Sequence, residues 1–217
     1  MGSFPKEKSR FLLPGPAGLL EVLATRPSVE EHIVAIICHP NPQHEGTMDN
    51  KVVTTIARAF ENLGLATVRF NYRGVGKSEG SYGDVVGEIN DLLCVLEWVK
   101  KVLPAFEIWF AGFSFGSFVA ASAANQTHIP AQLLSVAPAT NWHDFTTLTD
   151  VRCPWEAISS DADEIVPFDH VKPWLDNPPS PLNYHLVHDA SHFFHGRLVE
   201  LREMIEGIYV DRVPKDS

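Results

Sequence analysis

Two rhythms of apolar positions alternate along the chain. Ile33 to Cys38, Ala66 to Asn71, Glu107 to Ala111, Leu133 to Ala137, Trp155 to Ser159 and Asn183 to Val187 are short and β-branched or aromatic. Several of these runs are apolar at nearly every position, as strands covered on both faces are. Between them, Val52, Val53, Ile56, Ala57, Phe60 and Leu63 repeat at helical spacing and stop at Gly64. Val85, Ile89, Leu92, Leu93, Leu96 and Val99 form a second stripe, with Asp84 the predicted N-cap. Phe194, Leu198, Leu201, Ile205 and Ile208 predict a long closing helix. At the start, Arg10 to Leu13 and Leu19 to Ala24 flank Pro14-Gly15-Pro16 and predict an antiparallel hairpin turning there.

Alternating strands and helices require a mainly parallel sheet with right-handed crossovers, and so helices on both faces. The predicted fold is α/β, a three-layer α/β/α sandwich with an N-terminal hairpin. Loops at the carboxyl ends of the strands then form the site. No linker or compositional shift divides the 217 residues, so one domain spanning 1–217 is expected.

Composition narrows the function by exclusion. The formal charge of −10, with no Lys/Arg cluster, argues against a nucleic-acid partner. No apolar run is long enough to cross a bilayer and no secretory signal opens the chain, so no membrane association and a cytoplasmic location are expected. Cys38, Cys94 and Cys153 lack paired spacing and predict neither disulfides nor zinc, only small buried hydrophobes.

The chemistry begins at Gly112-Phe113-Ser114-Phe115-Gly116, which follows a predicted strand and precedes the helical run Phe118 to Ala124. Strand, G-x-S-x-G and helix together spell a nucleophile elbow. Its sharp turn lifts the serine hydroxyl above the sheet, and the flanking positions must lack a bulky Cβ. Ala120, Ala121, Ser122, Ala123 and Ala124 let the helix lie close to the sheet, and the helix dipole favours negative charge beside Ser114.

A serine hydroxyl needs a base, and the base needs a carboxylate. In this arrangement the chain order is serine, acid, histidine, each on a loop after a strand. Asp163 follows Trp155 to Ser159, with Asp161 a rival, and His192 follows Asn183 to Val187. The oxyanion needs two backbone donors. Phe115 supplies one; in His39-Pro40-Asn41-Pro42 the prolines carry no N–H, leaving Asn41 as the second within that tetrapeptide, against an ordinary Pro-rich turn.

His39-Pro40-Asn41-Pro42, Gly46 to Asn50, Phe70 to Gly80, Gly112 to Gly116, Asp161 to Pro167 and Ala190 to Phe194 occur in an order that resembles the α/β-hydrolase superfamily. The likeness is greatest to its small capless esterase-like members, relatives of dienelactone hydrolase. The resemblance implies Asp163 as acid, from its D-x-x-V-P spelling, and His192 as base. The family often has glycine three residues before both, where this chain has Ser160 and Asp189. The short segment from Pro138 to Arg152, where larger relatives insert a cap, implies an open cleft.

Arg73 is read as a structural salt-bridge partner in preference to a substrate contact. His39, His44, His188, His192 and His195 lack metal-ligand spacing, so no metal and no cofactor are expected. Phe113, Phe115, Phe193 and Phe194 are candidates for an acyl pocket or for core, with Phe113 and Phe193 assigned to substrate. The expected activity is hydrolysis of a small-molecule ester, or a related thioester, lactone or amide, through an acyl-enzyme on Ser114. The alternative is a non-catalytic small-molecule receptor on the same fold.

Overall fold

A computed structural model describes residues 3–27 and 31–213. Strand β1 (Ser9–Gly15) folds back antiparallel on β2 (Gly18–Thr25), pairing Gly15 with Gly18. The turn therefore lies at Pro16 and Ala17: of the expected Pro14-Gly15-Pro16 only Pro16 is in it, and Pro14 and Gly15 precede it. Both of those residues sit inside β1, an edge strand, where a missing N–H need not cost a ladder bond.

The sheet continues antiparallel from β2 to β4 (Ala66–Phe70), then parallel through β3 (Ile33–Cys38), β5 (Glu107–Phe113), β6 (Gln132–Val136), β7 (Trp155–Ser160) and β8 (Asn183–Val187). Every residue of β3 and β4 is buried; β3 is apolar throughout, whereas β4 buries Thr67 and Arg69 beside its apolar residues. Ile33, Ala35 and Ile37 face helices α1 (Lys51–Asn62) and α5 (Leu198–Tyr209). Val34, Ile36 and Cys38 face the opposite layer, built from α2 (Val86–Val102), α3 (Phe115–Thr127) and α4 (Phe168–Asp176). The result is a three-layer α/β/α sandwich. Between β6 and β7 there is only a 3-10 turn, Phe145–Thr147, and no cap covers the strand ends. Among the described residues no helix is long and apolar enough to cross a membrane.

Several local expectations are corrected. Asp84 does not cap α2: it and Val85 have φ of 53° and 71°, and no side chain caps the helix. The carboxylate of Glu88 accepts the Gly83 N–H at 2.8 Å instead, so a residue of the first turn reaches back to the entering chain. The closing helix is shorter than predicted because Phe194, with φ of 52°, lies in the preceding turn and buries its ring from there. Helix α4 buries Val171, Trp174 and Leu175 on one face, but its nine residues and internal Pro173 hid it from the sequence pattern. Cys94 and Cys153 are only half-buried, whereas burial pushes the Cys38 thiol up to about 12.

Candidate active site

Ser114 closes β5 and opens α3 with φ 55° and ψ −118°, a backbone region unfavourable for a residue bearing a Cβ. Ser114 N–H donates to the Val136 carbonyl at 2.9 Å, and the Ser117 hydroxyl donates to the Ser114 carbonyl at 2.6 Å. The turn is thus pinned from two sides. A Cβ on Gly112 would stand 2.1 Å from the Gly116 carbonyl oxygen, and one on Gly116 would stand 2.4 Å from that of Cys38. Both glycines of G-x-S-x-G are therefore required by contacts between backbones.

The loops after β7 and β8 meet beside this turn. The Ser160 hydroxyl joins them, donating to the Ala190 carbonyl at 2.5 Å and accepting from Ala162 N–H at 3.2 Å. Asp189 takes φ of 54°, the conformation for which glycine is preferred, so the departure from the family spelling leaves the turn in place.

His192 Nδ1 donates to Asp163 Oδ2 at 2.8 Å, with both side chains only 3% exposed. Asp163 Oδ1 accepts the N–H groups of Ile165 and Val166 at 2.9 and 2.7 Å, which fixes the carboxylate behind the ring. The rival Asp161 is engaged elsewhere, accepting from His188 Nδ1 at 2.6 Å and from Asp189 N–H at 2.8 Å.

Ser114 and His192 line one cavity of about 640 Å³ at the strand carboxyl ends. Among the described residues no hydrogen bond joins the Ser114 hydroxyl to the imidazole, whose Nε2 has no hydrogen-bond partner there; the two share a wall. Such contacts are often long without substrate and tighten when it binds.

Asn41 lines the same cavity. Its carbonyl accepts from His44 and Gly46 N–H at 3.1 and 3.0 Å, and its side chain accepts from Gln43 N–H at 2.8 Å, while its own N–H has no acceptor among the described residues. The N–H of Phe115 is the first of α3 and belongs to the orphan set of a helix start. Behind Asn41, the buried His39 accepts the Tyr72 N–H at Nε2 (3.1 Å), so its proton lies on Nδ1, which donates to the Pro40 carbonyl at 2.7 Å. Burial pushes the His39 imidazole down to about 3, despite the opposing pull of the Pro40 bond.

The aromatic residues separate into two sets. Phe193, 36% exposed, lines the cavity. Phe113 does not: it is fully buried, its ring centroid 5.0 Å from that of His192, packed against the imidazole. Phe115 and Phe194 are core. Trp142 and Ile165, at 51% and 37% exposure, complete an apolar rim with Phe193. Glu45 and Glu164 supply carboxylates to the wall, and among the described residues no lysine or arginine lines it. Trp142 and Glu45 carried no pattern in the sequence, and Glu164 and Ile165 fill the unspecified positions of D-x-x-V-P, because each is a loop residue placed by tertiary folding. Arg73 lies outside this lining and pairs with the buried Asp91, at 2.8 Å from Nη2.

A doubly wound fold, an uncovered cleft, and a strained serine beside a buried histidine–aspartate pair define a serine hydrolase of the capless α/β-hydrolase type. The comparisons agree. An α/β serine hydrolase homologue from Coxiella burnetii is 49% identical, with TM-score 0.91 over 95% of this chain and 99% of that one. A lidless α/β serine hydrolase from Xanthomonas campestris is 39% identical, with TM-score 0.93 and full coverage of both chains. An uncharacterized protein of Rickettsia prowazekii is 31% identical over 200 residues, 88% of this chain and 84% of that protein. Residues 36–172 match the family described as serine aminopeptidase, S33 (Hydrolase_4), and the chain belongs to it.

Proposed function

We propose that the chain cleaves small, uncharged esters through an acyl-enzyme on Ser114. His192 takes the hydroxyl proton as Ser114 attacks the carbonyl carbon, then gives it to the departing alcohol. Asp163 holds the ring in its Nδ1–H tautomer and stabilises the imidazolium. Water, deprotonated by His192, then releases the acid and restores the serine. The N–H groups of Asn41 and Phe115 receive the developing oxyanion. The observation that carries this reading is the buried Asp163–His192 pair, 2.8 Å apart, whose imidazole lines the cavity that also holds Ser114.

The apolar rim of Trp142, Ile165 and Phe193 supports an alkyl or aryl group on the substrate. Treatment with a fluorophosphonate, beside Ser114→Ala, tests the nucleophile. Labelling and loss of p-nitrophenyl butyrate hydrolysis only in the parent protein support the assignment; equal labelling of both proteins overturns it.

Glu45 and Glu164 favour a second reading, an amide substrate with a free ammonium group, in keeping with the family's description. Alanine p-nitroanilide distinguishes the two: turnover rivalling that of the p-nitrophenyl ester would select it.

A further inference from the structure

A second cavity of about 380 Å³, lined by residues of α1, β4 and α5, shares no lining residue with the catalytic cleft. Its wall carries four cations, Lys8 before β1, Arg58 on α1, Arg69 on β4 and Arg202 on α5, against one carboxylate, Glu61. In a chain of net charge −10 this is a local reversal of sign.

Part of the donor capacity facing this cavity is unspent. The Arg69 side chain is only 6% exposed, yet just one of its nitrogens is engaged: Nη1 donates to the Met48 carbonyl at 2.6 Å and reaches Asp49 at 3.5 Å. Its Nε and Nη2 donate to no described residue. Arg202 Nε lies 3.4 Å from Glu206 and its Nη2 3.6 Å from Glu203, two loose ion pairs, and the buried Nε makes no hydrogen bond. Arg58 and Lys8 have no partner among the described residues. Glu61, by contrast, is occupied, accepting from the Thr67 hydroxyl at 2.7 Å.

A buried guanidinium nitrogen without a hydrogen-bond acceptor, as Arg202 Nε is, is costly, and native structures normally satisfy one with water or a ligand. Two forks and two further cations converging from four segments suit a group that offers several anionic oxygens at once. We propose that this cavity binds a phosphate group, free or carried as a monoester on a small metabolite.

Calorimetric titration of the full chain with inorganic phosphate tests this, with ionic strength held constant by sodium chloride. Saturable binding of one equivalent is expected, unchanged after Ser114 is blocked by a fluorophosphonate. The double variant Arg58→Gln/Arg202→Gln should weaken it by about tenfold or more, the scale of lost charge-assisted hydrogen bonds. If that variant does not fold, Arg58→Gln alone, on the exposed face of α1, should weaken it less but measurably. Glucose 6-phosphate separates the sources: tighter binding than phosphate assigns a phosphorylated metabolite, and equal or weaker binding assigns the free anion. No saturable binding, or undiminished binding in a folded variant, overturns the proposal.

Discussion

His39 and Pro40 are joined by a hydrogen bond from the imidazole Nδ1 of one to the carbonyl of the other, at 2.7 Å. A peptide group is planar and trans, so holding the Pro40 oxygen against His39 turns the N–H of Asn41 the opposite way. Asn41 lines the catalytic cavity, and its N–H has no other acceptor among the described residues. Replacing His39 by Ala should therefore lower kcat by about 10²-fold, the scale of a misaligned oxyanion donor. KM should change far less, and His39→Asn, which keeps a donor near that carbonyl, should recover part of the loss. Steady-state kinetics on a p-nitrophenyl ester decides it; a loss confined to KM would refute the role.

The same histidine makes the fold sensitive to acid. Its folded value of about 3 lies below the 6.5 of a free imidazole because the ring is buried. Between those values the unfolded chain binds a proton that the native chain refuses, so stability falls as pH drops from about 6.5 toward 3. Glu156 adds to the trend lower down. Burial alone would raise its carboxyl, but bonds from His185, Arg212 and Asn183 outweigh that and hold it at about 2. Its stabilisation is complete above about 4.5 and is lost as pH falls through 2. Melting temperatures taken across this range should decline in the parent and decline less in His39→Asn.

Asp163 and Asp161, two residues apart, serve different histidines. Asp163→Asn should cut kcat by about 10³- to 10⁴-fold through loss of the correct tautomer. Asp161→Asn should leave turnover within about threefold, since it removes a surface contact to His188. Rates of ester hydrolysis for the two variants check this, and a larger loss at Asp161 would reverse the assignment.

Gly112→Ala should fail as a fold before it fails as a catalyst. The added methyl meets backbone atoms of Gly116, which cannot swing aside as a side chain would. A loss of more than about 3 kcal/mol is expected in urea unfolding, given the cost of overpacking a rigid interior.

Charge on the substrate offers a further check. With Glu45 and Glu164 on the cavity wall and, among the described residues, no lysine or arginine to oppose them, p-nitrophenyl hemisuccinate should react about tenfold more slowly than p-nitrophenyl butyrate at low salt. Added sodium chloride should narrow the gap through screening. Equal rates at low salt would show that the two carboxylates do not reach the acyl group.

The sheet was legible in the sequence because both its faces are covered, which forces apolar residues onto consecutive positions, as in Ile33 to Cys38. The elbow was legible because Gly112 and Gly116 answer to backbone contacts that admit no alternative. Asp84 misled because its residue type fits a cap, while positive φ at two successive residues removes it from the capping position. Phe113 was ambiguous in kind: a phenylalanine beside a nucleophile can face either way along a strand, and only coordinates show its ring packed on His192. Trp142 and Ile165 lie on loops, where exposure follows from tertiary packing rather than from periodicity.

Trp142, Ile165 and Phe193 stand in the open with no insertion between β6 and β7 to shield them. A hydrolase built this way has no gate to operate. Its cleft should therefore be open to dissolved molecules without an oil–water boundary to expose it.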